Sequence, residues 1–290
     1  MVQHNSRVTR QFVALDDCMS SSWRPTVALV GFGALGAQIA RGIASGAAGD
    51  YRLSAVLVRS RSPHTDEAIR QTGARSCTDL TEVIETRPTF VIEAASSDVL
   101  RQIAVPCLSA NAHVIVLSTG AFADENLLEA AMRAATEHGT RIYLASGAIG
   151  GLDLVQSAMV GGEIMAQIRT EKPPAALIGA PGLVQFEAES TEARDVFRGS
   201  AREAIERFPQ NVNVAVTLAL AATGLDQTMV VVRSNPALSR NRHTIELEGA
   251  FGRARIEVEA SASRDNPKSS ALAAYSVLAL LKRLASPLQL

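Results

Sequence analysis

The stretch Val27-Ala-Leu-Val-Gly31-Phe-Gly33-Ala-Leu-Gly36 decides the fold. Four apolar residues read as a buried strand and run into glycines spaced G-x-G-x-x-G. Residues 37–47 follow at once with helical periodicity, which completes the strand–turn–helix setting in which this spacing holds a dinucleotide. Gly31 permits the tight turn, Gly33 lets the backbone approach a pyrophosphate, and Gly36 lets the helix pack closely on the strand. The helix start, Ala34 and Leu35 included, offers N–H groups and the positive end of the helix dipole to the phosphates.

A second strand, Leu53 to Val58, ends in Arg59-Ser60-Arg61-Ser62. An NAD-binding unit usually carries a carboxylate here for the adenosine ribose. None is present, and two guanidiniums and two hydroxyls stand where a 2′-phosphate would lie. The planar donor fork of Arg suits a phosphate. The pattern therefore predicts a preference for NADP, with NAD also usable, against the plainer reading of solvated loop arginines.

Further along, helices are expected near 66–72, 79–85, 99–110 and 124–138, and strands at 89–95, 113–117 and 141–145. Asp79 supplies an N-cap oxygen to the second of these helices, with Glu82 three residues on. Strands alternating with helices predict a doubly wound parallel sheet of the Rossmann type. Such sheets take ligands beyond the carboxyl ends of their strands, which puts Ala95, Ser96, Ser118, Thr119 and Ala148 beside a cofactor. Tight packing of small residues is the alternative for these positions.

Past Gly151 the rhythm changes. A helix over 152–159 precedes strands at 165–170 and 183–189, which a Pro/Gly-rich loop, 172–182, separates. Helices follow at 200–208 and 212–222, then strands at 228–233, 244–248 and 253–260, with Gly249 to Gly252 as a hairpin turn. Apolar residues alternate with charges in the last pair, which predicts an antiparallel sheet with one wet face. A strong helix, 271–285, closes the chain. The expected division is a flexible extension over 1–23, a dinucleotide-binding domain over 24–150 and a substrate and catalytic α+β domain over 151–290. The last helix is able to pack back on the first domain.

Composition narrows the function. A net charge of −1 without a basic block argues against a nucleic-acid partner, and 4% aromatic residues against a base-stacking platform. Cys18, Cys77 and Cys107 are odd in number and widely spaced, so neither a metal site nor a disulfide framework is expected. The setting expected is reduced and cytoplasmic. Residues 1–23 lack the apolar core of a secretory signal, and no uninterrupted apolar run matches a membrane span.

Six segments occur here in one order: Gly31-Phe-Gly-Ala-Leu-Gly36, Leu117-Ser-Thr-Gly-Ala-Phe-Ala123, Ala145-Ser-Gly-Ala-Ile-Gly-Gly-Leu-Asp153, Phe208-Pro-Gln-Asn-Val-Asn-Val-Ala215, Arg242-His243 before Gly249-Ala-Phe-Gly252, and Asp265-Asn-Pro-Lys-Ser-Ser270. Together they closely resemble the L-aspartate dehydrogenases, from about Pro25 to the C-terminus. The resemblance implies NAD(P)-dependent oxidative deamination of L-aspartate to iminosuccinate, which water converts to oxaloacetate and ammonia, or the reverse amination, feeding NAD biosynthesis. It also implies a homodimer, a catalytic role for His243, and cofactor contacts from Ala148 and Asn213. The basic end of the second strand departs from the acid that family members often carry. Ser269 stands where the family segment has threonine, so a hydroxyl is retained.

The chemistry gives these positions their roles. Hydride loss from an α-carbon needs a neutral amine, so a base must take its proton, and histidine titrates near neutrality. Spacing does not separate His4, His64, His113, His138 and His243. The resemblance selects His243, as general base or as orienter of the water that attacks the imine. Two substrate carboxylates call for Arg, Lys or backbone N–H groups. Lys268, expected at a helix start after Asn266-Pro267, is the first candidate, with Ser269 and Ser270 adding hydroxyls; a plain capped helix end is the alternative. Arg242 is a second candidate, against a solvated strand-edge charge. Asn211 is read as a substrate contact or as the N-cap of the 212–222 helix. Asn213, a poor helix former inside the first turn, is read as holding the nicotinamide amide through paired donor and acceptor bonds. Two other functions fit the same features: a non-catalytic NAD(P)-binding sensor, and a dehydrogenase of another small amino or hydroxy acid.

Overall fold

Val27 and Leu29 face one side of their strand and Ala28 and Val30 the other, and all four are buried. A strand of this kind needs cover on both faces. In the computed structural model, which describes residues 24–183, 192–209, 212–263 and 266–288 (the side chains of 262–269 excepted), it has that cover. The extension 1–23, the strand expected beyond 183, and Asn211 lie outside the described residues.

Six strands form a parallel sheet: β1 (Thr26–Val30), β2 (Arg52–Leu57), β3 (Arg75–Cys77), β4 (Phe90–Glu93), β5 (His113–Val116) and β6 (Ile142–Leu144). Their order is β3-β2-β1-β4-β5-β6, so the winding reverses between β1 and β4 and opens a ligand crevice there. The helices between them are α1 (Ala34–Ala44), α2 (Pro63–Arg70), α3 (Leu80–Glu85), α4 (Ser97–Ser109) and α5 (Glu125–Glu137). Ser62, Asp79, Ser96 and Asp124 cap the last four through their side-chain oxygens. β3 has no counterpart among the expected strands, because Arg75-Ser-Cys77 is too short and polar to carry an apolar pattern.

The second unit contains α6 (Leu152–Val160), β7 (Ile164–Lys172), α7 (Pro174–Leu177), β8 (Arg194–Ser200), α8 (Ala201–Arg207), α9 (Asn213–Ala221), β9 (Met229–Ser234), β10 (Asn241–Gly249) and β11 (Gly252–Ala260). A short ribbon of β12 (Ala262–Ser263) and β13 (Asn266–Ser270) leads into α10 (Ala271–Ala285). The sheet order is β11-β10-β7-β9-β8. It is mixed rather than antiparallel, since β7 and β9 run parallel through a crossover that includes α8 and α9. Alternation along a strand reports one covered face and says nothing of its neighbour's direction. β8 escapes the apolar pattern because Arg194, Asp195 and Arg198 interrupt it, as suits an edge strand.

Two strand limits differ in ways that matter for function. β10 starts at Asn241, before its apolar residues begin, so His243 lies within the strand and not ahead of it. β7 runs on to Lys172, which the sequence pattern assigns to the following loop.

α10 leaves the second unit and packs on the first. Ala274, Val277, Leu278 and Leu281 join Val27, Leu29, Ile39, Ile43 and Val56 in one core. Leu278 lies over Gly42 of α1, where a β-carbon would collide with it. The Tyr51 hydroxyl donates to the Leu281 carbonyl at 2.9 Å. Leu281 is fully buried, so Leu281→Ala is expected to cost about 2–5 kcal/mol. Denaturant unfolding of the variant should show this as an earlier midpoint, and an unchanged midpoint would mean that the helix is not part of the first unit's core.

Candidate active site

A crevice of about 900 Å³ separates the two units. It opens above the carboxyl ends of the parallel sheet, where Leu35, Ala95, Ser96, Ser118 and Ala148 form one wall. Lys172, Asn213, Asn241, His243 and Ser270 face them from the second unit.

The glycine loop fits a dinucleotide. Gly31 has φ +95°, and a β-carbon there would lie 2.7 Å from the Ala94 carbonyl oxygen. A β-carbon on Gly36 would strike the Gly31 carbonyl. Around Gly33 the space is open, and Gly33 is the N-cap of α1 without a side-chain cap bond. The N–H groups at the start of α1, Ala34 and Leu35 among them, are thus presented at the mouth of an open cradle, the chemistry a pyrophosphate requires.

Glu93 positions the adjoining turns. It is fully buried at the end of β4. Its carboxylate accepts the Ala95 N–H at 2.8 Å, the Ser118 N–H at 2.8 Å and the Ser118 hydroxyl at 2.9 Å. Burial raises its pKa, and these hydrogen bonds oppose the rise. Ser118 therefore lines the crevice with its hydroxyl committed to Glu93. Thr119 turns inward instead, its hydroxyl donating to the Asn213 carbonyl at 2.7 Å and accepting from Thr217 at 3.0 Å. That hydroxyl serves α9.

Asn213 is the first residue of α9, and the N-cap is Val212, which makes no side-chain cap bond. The helix thus begins one residue later than a cap at Asn211 would place it. The Asn213 side-chain oxygen accepts from the Gly120 N–H at 3.1 Å, and the amide nitrogen is the side chain's donor group.

The other predicted positions divide. Arg59 and Ser60 are exposed just past β2, and the Arg61 guanidinium donates to the Ser76 carbonyl at 2.7 Å. Lys268 and Ser269 belong by backbone to β13 and not to a helix start; their side chains lie outside the described residues. The cap of α10 is Ser270, whose hydroxyl accepts from the Leu272 N–H at 3.1 Å. Arg242 points to the opposite face of the sheet from His243 and pairs with Glu259 at 3.0 Å, half-buried on an inner strand. His113 accepts from the Arg141 N–H at 3.0 Å and packs against Phe90 and Tyr143, a structural role. His64 and His138 are exposed, and His4 lies outside the described residues.

His243 stands on the covered face of β10, 4% exposed, with Nδ1 3.0 Å from the Thr170 hydroxyl of β7. Nε2 is its remaining hydrogen-bonding atom. Burial, and then the positive charge of Lys172, push its pKa down to about 3. Burial likewise lowers Lys172, 3% exposed, to about 8. Lys172 and Glu93 both escape the sequence patterns. The one signal for Lys172 is parity, since it continues the alternating buried series Ile164, Ala166, Ile168, Thr170.

Arg202 of α8 bridges the units. It donates to Asp226 at 2.6 Å, to Glu125 of α5 at 2.5 Å and to the Ala123 carbonyl at 3.3 Å. Among the described residues no cluster of three His, Cys, Asp or Glu side chains offers a metal site, and no helix is long and apolar enough to cross a membrane.

A glycine cradle at the switch point of a parallel sheet, facing a second unit that buries a histidine and a lysine, defines a nicotinamide-dinucleotide-binding oxidoreductase. Residues 31–145 match the NAD-binding domain of homoserine dehydrogenase, and residues 153–284 match the C-terminal domain of aspartate dehydrogenase. The L-aspartate dehydrogenase of Methanocella arvoryzae is 39% identical over 91% of this chain and 98% of its own. L-aspartate dehydrogenase 2 of Bordetella pertussis is 36% identical over 89% and 96%. The crystal structure of aspartate dehydrogenase from Thermotoga maritima is 26% identical, with a TM-score of 0.73 over 92% of this chain and 100% of that one. The chain belongs to the L-aspartate dehydrogenase family.

The His243 shift makes stability depend on pH with a definite sign. Below about pH 6.5 the unfolded imidazole takes a proton that the folded one refuses until about pH 3. The unfolded state then binds more protons, so stability falls as the pH drops through this window. Unfolding free energies measured across it should fall less steeply in His243→Gln than in the parent. Equal slopes would place the ring in water.

Proposed function

We propose that this protein is an NAD(P)-dependent L-aspartate dehydrogenase. It oxidises L-aspartate to iminosuccinate, which water converts to oxaloacetate and ammonia, or runs the reverse amination. The observation that carries this reading is His243, enclosed beside Lys172 across the crevice from the glycine cradle, in a chain of this family. A cytoplasmic homodimer feeding NAD biosynthesis is part of the same reading. Met165 and Met229, exposed on the outer face of the second sheet, support a partner there.

When bound, the dinucleotide accepts a hydride from the α-carbon of the amino acid. The chain's own residues do the rest. Gly31, Gly33 and Gly36 with the start of α1 bind the pyrophosphate, and Ala95, Ser96, Ala148 and the Asn213 amide border the nicotinamide half. His243, neutral throughout the working range, orients the substrate nitrogen or the attacking water through Nε2; a ring pushed to about 3 is a weak base for an ammonium. Lys268 and Ser269, in the ribbon that ends at crevice residue Ser270, are proposed to bind a substrate carboxylate.

NADP is the preferred cofactor in this reading. It is supported by the missing carboxylate after β2 and by Arg59 and Ser60 exposed in its place. Arg61 is tied to the Ser76 carbonyl, so Arg59 takes the larger share of a 2′-phosphate.

The test is initial rates with L-aspartate, and with oxaloacetate plus ammonia, using NADP(H) and NAD(H) in parallel. Arg59→Ala is expected to raise the KM for NADP about tenfold or more and to leave that for NAD unchanged. Turnover favouring NAD keeps the enzyme and discards the 2′-phosphate role. Cofactor binding without turnover of aspartate points to a sensor or another substrate, which a panel of amino and hydroxy acids separates.

A further inference from the structure

We propose that Lys172 is the proton-transfer group of this site: its amine takes the proton from the substrate's α-ammonium and returns it in the reverse direction. The proposal rests on the aspartate dehydrogenase reading above.

Position comes first. Lys172 ends β7 on the same face as Thr170, and Thr170 pairs with His243 across the strands. One rung further, Lys172 pairs with Ser234 on β9, and Asn241, the first residue of β10, lines the crevice with it. Lower on this face stand Ile168, Ala166, Ile245 and Leu247, all buried. The polar groups are thus gathered where the sheet meets the crevice, and Lys172 lines it.

Residue choice comes second. The chain has twenty-five arginines and three lysines, Lys172, Lys268 and Lys282. A fixed cation would be as well served by arginine, which does not release its proton in a protein. Lysine does release it when desolvated, and burial brings Lys172 to about 8. Among the described side chains, His243 is the titratable group beside it. The other charged groups of the crevice wall are Asp98 and Arg101 on α4, Asp124, and Arg202 and Glu206 on α8.

The step balances. One substrate N–H bond breaks as an N–H bond forms on Lys172, and the positive charge moves with the proton. The freed nitrogen lone pair then forms the C=N bond as two electrons leave the α-carbon with the hydride, which the dinucleotide accepts. Lys172 passes its proton to water before the next cycle.

The variants are Lys172→Met and Lys172→Arg. With lysine labelled at Cε, the protein should show three resonances, one titrating near pH 8 and absent from Lys172→Met. Both variants should lose about a hundredfold or more in kcat for aspartate oxidation. Both should bind succinate, a redox-inert dicarboxylate, as the parent does in the presence of cofactor. Added primary amines should restore Lys172→Met in order of their basicity. A Lys172→Arg enzyme that keeps its kcat, or a Lys172→Met enzyme that loses succinate binding and keeps kcat, makes the residue a carboxylate clamp and overturns the proposal. So does a Lys172 resonance titrating near 10.5. A parent protein that does not turn over aspartate removes the underlying reading and the proposal together. An active parent with unaffected variants removes the proposal alone.

Discussion

The crevice depends on one enclosed carboxylate. Glu93 closes β4 and holds the turns that follow both β4 and β5, which are neighbours in the sheet. Those turns supply Ala94, Ala95, Leu117 and Ser118 to the wall. A charge in a low-dielectric interior is tolerated only when its lone pairs are satisfied, and three hydrogen bonds satisfy Glu93. The same bonds fix where the backbone can go. This wall of the crevice therefore inherits its shape from a side chain buried behind it.

The opposite wall uses desolvation differently. There burial moves the ionisable groups along the pH scale. Burial drives His243 far below its ordinary range and Lys172 to about 8, and the positive charge of Lys172 lowers His243 further. Two basic side chains in one dry place are thereby separated in function, a neutral ring beside an amine that exchanges its proton near neutrality. The Thr170 hydroxyl at 3.0 Å fixes the ring while the strand pairing fixes the distance between the rungs.

Much of this was legible from residues alone. The glycine spacing after Val27–Val30 located the switch point, and the strand and helix alternation gave the doubly wound sheet. What escaped did so for identifiable reasons. Arg75–Cys77 and Arg194–Ser200 pair at sheet edges, where polar residues are allowed and leave no apolar trace. Strand direction in the second sheet depends on a crossover, not on local pattern. Glu93 and Lys172 escaped because a charge at a strand end ordinarily faces water, whereas each of these is the final residue of its strand and is buried. Sites are where such local rules give way. The hydrogen bond from Thr119 to the Asn213 carbonyl joins segments 94 residues apart and could not be read locally.

The docking of α10 on α1 has a consequence for the order of synthesis. The first unit's core includes Val277 and Leu281, which the ribosome makes after every strand of both sheets. A nascent chain that has completed β1 to β6 still exposes the apolar side of α1 and β1, so this half cannot mature as an independent unit ahead of the rest. The intervening second unit must form while its partner is unfinished, and the crevice between them closes only when the final helix arrives. Assembly of the dinucleotide-binding half is thus coupled to the synthesis of α10.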